Sequence, residues 1–178
     1  MTFNERRSIR LPDFNYAGFG AYFVTLCTAG RQCYFGEMTG DGVQLNDCGK
    51  TVADCWTAIP EHLPGVELDE FILMPNHLHG ILWIMGGESS LPQRATPWVA
   101  PTDEPAPRPG PVRGSLGAII GAFKSAASKR LRDNPELPSR LWQRNYYEEV
   151  IKDDEALNRI RQYIQSNPSK WSDDPDHP

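Results

Sequence analysis

The apolar patterns along this chain of 178 residues predict an α+β fold, an antiparallel sheet carrying helices on one face. Three observations lead there. Four segments rich in β-branched and aromatic residues read as strands. Segments with three- and four-residue apolar spacing read as helices. Their order, β-α-β-β-α-β-α, is a split β-α-β-β-α-β unit followed by one further helix. A hydrophobic fraction of 39% and 23% charged residues, with a mean hydropathy of −0.50, suit a soluble domain that buries a core without disulfides or a structural metal.

The first strand is expected at Ala21-Tyr-Phe-Val-Thr-Leu-Cys-Thr28. Gly36 to Gly42 carries turn signals. From Asp47 to Ile59 the apolar positions Val52, Trp56 and Ile59 recur at helical spacing, with Asn46 or Asp47 as N-cap and Pro60 at the end. Val66–Met74 and His77–Met85 read as a hairpin turning at Pro75-Asn76. Alternation sets His77, His79 and Ile81 on one face of the second of these strands and Leu78, Gly80 and Leu82 on the other. Residues 86–111 hold seven of the sixteen prolines and no apolar period, and read as a Pro/Gly-rich loop or linker. Beyond it, Leu116, Ile119, Ile120, Phe123 and Ala127 mark a helix whose outer face carries Lys124, Ser125, Ser128 and Lys129. Leu141 to Ile151 reads as the fourth strand. Asp153 caps a last helix that buries Leu157, Ile160 and Ile164 and ends at Asn167, before Pro168. The expected architecture is ferredoxin-like: one domain over residues 1–171, then an acidic tail at 172–178.

A net charge of −5 weighs against a nucleic-acid partner. Its distribution does not. Residues 37–70 hold eight acids and one base, whereas 112–171 hold eleven bases and seven acids. Asp173, Asp174 and Asp176 add a second acidic region, expected to be remote from any site. No apolar run approaches the ~20 residues of a membrane helix, and the N-terminus lacks an apolar signal region. The expectation is therefore a cytoplasmic protein with no membrane partner. No G-x-x-x-x-G-K-[ST] loop is present, so no nucleotide cofactor is expected. Cys27, Cys33, Cys48 and Cys55 form no C-x-x-C pair and read as reduced, mostly buried thiols.

The motif with most chemical content is His77-Leu78-His79. Residues i and i+2 of a strand share a face with Cα atoms roughly 6.5–7 Å apart, so two imidazoles there can converge on one metal ion. Such a doublet also merely lines surfaces, and two ligands make an incomplete site. Tyr163 and Asn167, one turn apart at the edge of the last helix's buried stripe, project a phenol and an amide together. On the residues alone they read better as a partly buried tyrosine and an asparagine helix stop.

The stretches GAYFVTLCT, FILMPNHLHGILWI, SLGAIIGAFKSAASKRL, LWQRNYYEEVI and YIQSNPSKW, in this order, resemble the single-tyrosine HUH transposases of the insertion sequence 200/605 type. The resemblance is closest to their REP-associated tyrosine transposase (RAYT) branch. It implies that His77 and His79 are metal ligands, Asn167 the third ligand, and Tyr163 the catalytic nucleophile. Tyr146 and Tyr147 become core or DNA-contacting residues. It implies magnesium or manganese as cofactor. The implied activity is that of a DNA transposase, a site-specific single-strand endonuclease and strand transferase. It would act on hairpin DNA of palindromic repeats through a covalent 5′-phosphotyrosine, leaving a 3′ hydroxyl. Relatives of this kind occur as dimers with shared sites and as monomers, so a homodimer stays open. The 86–111 stretch is long for the minimal family fold.

Candidate DNA contacts are Arg6, Arg7 and Arg10 on a hairpin stem, together with Lys124, Lys129, Arg130, Arg132, Arg144 and Lys170. Trp142 or Tyr146 would stack on unpaired bases. Each basic residue could equally belong to a solvated face. Two other readings compete. One is a domesticated repeat-hairpin binding protein without transposition. The other is a hydrolase whose histidines activate water; the lack of an acid near the histidine pair in sequence disfavours it.

Overall fold

The computed structural model describes residues 19–85, 114–173 and 176. The expectations for Arg6, Arg7, Arg10, the 86–111 stretch and the rest of the tail lie outside these residues. The described chain runs β1 (Gly20–Cys27), β2 (Gly36–Thr39), β3 (Gly42–Leu45), α1 (Asp47–Thr57), α2 (Ile59–His62), β4 (Val66–Leu73), β5 (His77–Ile84), α3 (Leu116–Arg130), β6 (Tyr147–Ile151) and α4 (Asp154–Ser166). The main sheet has the order β4-β5-β1-β6, and every neighbouring pair is antiparallel. The split β-α-β-β-α-β arrangement is therefore as expected, with the first and third of its four strands in the middle.

Alternation along β1 and β5 divides the core into two layers. Tyr22, Val24, Leu26, Leu78 and Leu82 face α1 and α3, where Val52, Trp56, Ile119, Ile120 and Phe123 complete a buried cluster. Ala21, Phe23 and Ile81 face the opposite way and are covered by Leu157, Ile160 and Ile164 of α4. The extra helix thus closes the second face of the sheet, the face that carries His77 and His79. It starts at Asp153, whose carboxylate accepts from the Ala156 amide at 2.8 Å, and Asn167 is its C-cap.

Local chemistry accounts for the differences from expectation. The glycine-rich stretch after residue 36 is a hairpin, β2–β3, which turns at Gly40-Asp41 and enters β3 through Gly42 at a positive φ of 119°. Asn46 rather than Asp47 caps α1, accepting from the Gly49 amide at 2.9 Å. Pro60 does not end helical structure; it lies in the first turn of the short α2. The fourth strand is shorter than Leu141–Ile151. Trp142 makes an isolated bridge to Thr28, the chain then leaves the sheet, and β6 pairs with β1 only from Tyr147.

All four cysteines are free; Cys27 and Cys55 are buried, Cys48 is intermediate, and Cys33 is exposed, against the expectation for most of them. Burial, reinforced by the nearby Asp176 carboxylate, pushes the Cys27 thiol up to about 12. Burial also raises Cys33, although its side chain reaches solvent. With native protein at pH 8, a thiol-alkylating reagent is expected to label Cys33 roughly a hundredfold faster than Cys27. Peptide mass spectrometry reads the ratio, and comparable labelling would contradict the packing around β1.

Candidate active site

The site forms where β5 begins, on the face covered by α4. His77 and His79 point to that face, with 0% and 2% of their surfaces exposed. Their Nε2 atoms lie 3.0 Å apart. Each ring is held from behind. Asn76 Nδ2 donates to the backbone carbonyls of Arg31 at 3.0 Å and Asp176 at 2.8 Å. That fixes the amide so that its Oδ1 faces His77 Nδ1 at 2.7 Å. An oxygen acceptor there requires the proton on Nδ1, which leaves a lone pair on His77 Nε2. His79 Nδ1 lies 2.8 Å from the hydroxyl of Thr25, its partner in the β1–β5 register. A hydroxyl both donates and accepts, so His79 can carry its proton on either nitrogen. Arg31 contributes from a left-handed backbone conformation, φ 57°, a strained geometry for a side-chain-bearing residue. Its guanidinium pairs with Asp176 at 3.0 Å.

Tyr163 reaches the pair from α4. Its hydroxyl is 3.3 Å from His79 Nε2, its ring packs edge-on against Phe23, and 37% of it stays exposed. One turn on, Asn167 is buried at the end of the helix. In the turn that follows, Trp171 stacks on His77, with ring centroids 6.0 Å apart. Tyr163 and Trp171 therefore bracket Asn167 at the same end of α4 that covers the two imidazoles.

The donor set suits a divalent transition ion or manganese. Two buried imidazole nitrogens face each other; His77 Nε2 offers a lone pair to a cation, and His79 Nε2 does so when the proton sits on Nδ1 toward Thr25. Among the described residues no three His, Cys, Asp or Glu side chains are grouped so as to hold a metal ion, so a third protein ligand would have to be of another type, such as the buried amide of Asn167.

A cavity of about 410 Å³ opens beside Tyr163 and His79. Phe23 and Tyr147 line it with aromatic surface, and Arg159 and Glu149 bring opposite charges to it. Tyr147 is the rival phenol, but its hydroxyl donates to Glu149 at 3.2 Å. Burial, then the adjacent Glu149 carboxylate, pushes its pKa up.

The residues expected to contact DNA lie in different surroundings. Lys124 does not present its charge to solvent. Its ammonium donates to the carbonyls of Gln143 at 3.0 Å and Asn145 at 3.4 Å and lies over the Tyr146 ring. Burial lowers its pKa to about 8. Its role is to hold the chain between Trp142 and β6. Trp142 is 4% exposed and packs against Phe35 and Phe123 in the core, so it offers no face to a base. Lys129 and Arg130 are exposed, but α3 lies across the sheet from the histidines. Arg132 is paired with Asp133 at 3.5 Å. Arg144 is exposed, and Lys170, also exposed, adjoins Trp171 at the site. Asp176, expected in a remote acidic region, is 7% exposed and lines the cavity.

Sequence reasoning missed Thr25, Arg159, Trp171 and the supporting role of Asn76. Arg159 had a readable signal, since it stands four residues before Tyr163 on the same helix. Thr25 had none, because only the strand register brings it to His79.

The sheet order and the two-layered core recur in a solved structure. That structure is described as a REP-associated tyrosine transposase bound to a REP hairpin. The two superpose with a TM-score of 0.58 over 96% of this chain and 74% of that one, at 15% identity. The chain belongs to the same family as an uncharacterized protein of Haemophilus influenzae, which is 41% identical over 176 residues, 96% of this chain and 92% of that protein. No protein-family model matches the chain. Among the described residues no helix is long and apolar enough to cross a membrane.

Proposed function

We propose that this chain is a transposase-type enzyme that nicks and rejoins single-stranded or hairpin DNA, with Tyr163 as the nucleophile. The observation that carries the reading is the 3.3 Å approach of the Tyr163 hydroxyl to His79 Nε2, beside the facing imidazole of His77. The shared fold with a transposase solved on a REP hairpin supports the substrate class.

In this reading Tyr163 Oη attacks a phosphorus atom held in line in the cavity. A bond from the phenol oxygen to phosphorus forms, and the bond from phosphorus to the 3′ oxygen breaks. The phenol gives up its proton and the departing 3′ oxygen gains one. The product is a 5′-phosphotyrosine, which conserves the phosphodiester for later attack by another 3′ hydroxyl. Magnesium or manganese held by His77, His79 and Asn167 would offset negative charge on the phosphate oxygens. Arg159, one turn before Tyr163, supplies a cation to the same phosphate. Phe23 and Tyr147 offer faces on which an unpaired base stacks. Arg144 and Lys170 add exposed positive charge for the flanking strand.

The test is to incubate the full chain with labelled palindromic hairpin oligonucleotides and manganese or magnesium, then separate the products under denaturing conditions. A covalent protein–DNA species that disappears with a chelator is the expected result. Cleavage that releases free 5′ phosphates without any adduct would instead identify a metal-dependent hydrolase.

A further inference from the structure

Besides its apolar packing on the sheet, the helix that carries Tyr163 is tied to β4 by polar and charged side chains. In β4 the register to β5 slips between Leu68 and Phe71. Leu68 pairs with Leu82 and Phe71 with Gly80, so Asp69 and Glu70 together stand opposite one residue, Ile81. This is a β-bulge, which re-aims side chains at a sheet edge. Both bulge residues reach α4. Arg161 grips Asp69 with two hydrogen bonds, Nε to Oδ1 at 2.8 Å and Nη2 to Oδ2 at 2.5 Å. Gln165, one turn later, donates to Glu70 at 3.2 Å. Asp69 also accepts from the indole of Trp83 at 3.3 Å, and Trp83 lies on β5, the strand that bears His77 and His79. One half-buried carboxylate thus joins the histidine strand to the tyrosine helix.

At about 100° per residue, Arg161 and Gln165 lie on one flank of the buried stripe of α4 and Tyr163 on the other. The stripe itself, Leu157, Ile160 and Ile164, is aliphatic and makes no directional bond to the sheet. A fastening on one flank converts directly into the height of the phenol on the other. We propose that the β4 bulge is the positioning element of the nucleophile: Asp69 and Glu70 hold Arg161 and Gln165, and so set the roll of α4 that brings Tyr163 to His79. Asp69, Glu70, Arg161 and Gln165 are positioning residues; none of them contacts the histidines or the phenol. The Arg161 guanidinium holds the Asp69 carboxyl down at about 2, so the fastening is fully charged above the ordinary carboxylate range and weakens only as pH falls toward 2.

The inference rests on Tyr163 being the nucleophile, and its test separates the two ideas. Five proteins are compared: wild type, Asp69→Asn, Arg161→Met, which keeps the apolar stem, Arg161→Lys, which keeps the charge, and the Asp69→Asn/Arg161→Met double variant. Single-turnover adduct formation is expected to fall about 10- to 100-fold in Asp69→Asn and Arg161→Met. Hairpin affinity stays within about twofold, since the phosphate-binding cations are untouched. Arg161→Lys recovers most of the rate. The double variant is no slower than the slower single one, as for two halves of one interaction. Hydrogen exchange supplies the readout free of activity: α4 amides are expected to exchange about tenfold faster in Asp69→Asn, with β1 and β5 unchanged. Wild-type rates in both single variants would overturn the proposal. So would losses of rate, affinity and melting temperature in parallel. If wild type itself forms no adduct, the nucleophile reading fails; unchanged α4 exchange in Asp69→Asn then overturns the fastening as well, and faster exchange confined to α4 upholds it.

Discussion

Tyr163→Phe is expected to abolish the covalent protein–DNA species while leaving fold and hairpin binding intact. The substitution removes one oxygen. That oxygen makes a long 3.3 Å contact to His79 and belongs to a residue 37% exposed. The ring keeps its edge-on packing against Phe23, so the stability change should stay within about 0.5 kcal/mol. In the proposed reading chemistry is affected out of proportion, because the other phenol lining the cavity is already engaged. Tyr147 lines the same cavity, but its hydroxyl is bound to Glu149 at 3.2 Å and held protonated by burial and by that carboxylate. A denaturing gel of wild type and variant on one hairpin, with native affinity measured in parallel, checks the result. An adduct persisting in Tyr163→Phe would mean that the nucleophile lies elsewhere.

Gly80→Ala is expected to be the most damaging single-methyl change in the sheet. Gly80 lies on β5 between Leu78 and Leu82, facing α1. A Cβ built there would meet Trp56 at 2.5 Å from Cζ2 and 3.1 Å from Cε2. The Trp56 side chain is fully buried and wedged edge-on against Phe123. An indole so confined cannot swing aside, so the strand or α1 must shift. Overpacking of this kind costs about 1–3 kcal/mol, or a melting temperature roughly 3–10 °C lower for a domain of this size. Because His77 and His79 share the strand, the same shift would spread the imidazole pair. Gly121→Ala is the control: in α3 its Cβ meets nothing within 4 Å, and removing a glycine from an exposed helix interior should stabilise by about 0.5–1 kcal/mol. Thermal melts of both variants settle the sign. A Gly80→Ala protein as stable as wild type would contradict the close approach of Trp56 to β5.

Much of this was legible in the residue pattern. The spacing of Val52, Trp56 and Ile59 and that of Leu157, Ile160 and Ile164 marked amphipathic helices, and period-two alternation put His77 and His79 on one face. Those are local properties of a chain whose side-chain directions repeat with the backbone. The fourth strand was misjudged because Leu141 and Trp142 are as apolar as strand residues. They are buried by a single bridge to Thr28 and by aromatic neighbours, not by a ladder. Lys124 was misjudged for a related reason. A lysine off the apolar stripe of a helix ordinarily faces solvent, and only the return of residues 143–145 over α3 gives its ammonium two carbonyls to hold. Asp176 looked like tail acidity because charge carries no information about where a chain end comes to rest.

By itself the sequence determined the strands of the main sheet, the three longer helices, the split β-α-β-β-α-β order and the pairing of His77 with His79. It also determined the one-turn spacing of Tyr163 and Asn167. Each follows from backbone periodicity and needs no distant partner. Only the tertiary structure decided which face of the sheet α4 covers, that Thr25 and Asn76 hold the imidazoles, and that the Asp69–Glu70 bulge grips Arg161 and Gln165. Those are contacts between residues up to about a hundred positions apart. They depend on strand order, on register and on one inserted residue in β4, and a shift of one residue in register reverses every side chain. Periodicity brings the reactive groups to the correct faces, and long-range packing sets the distance between them.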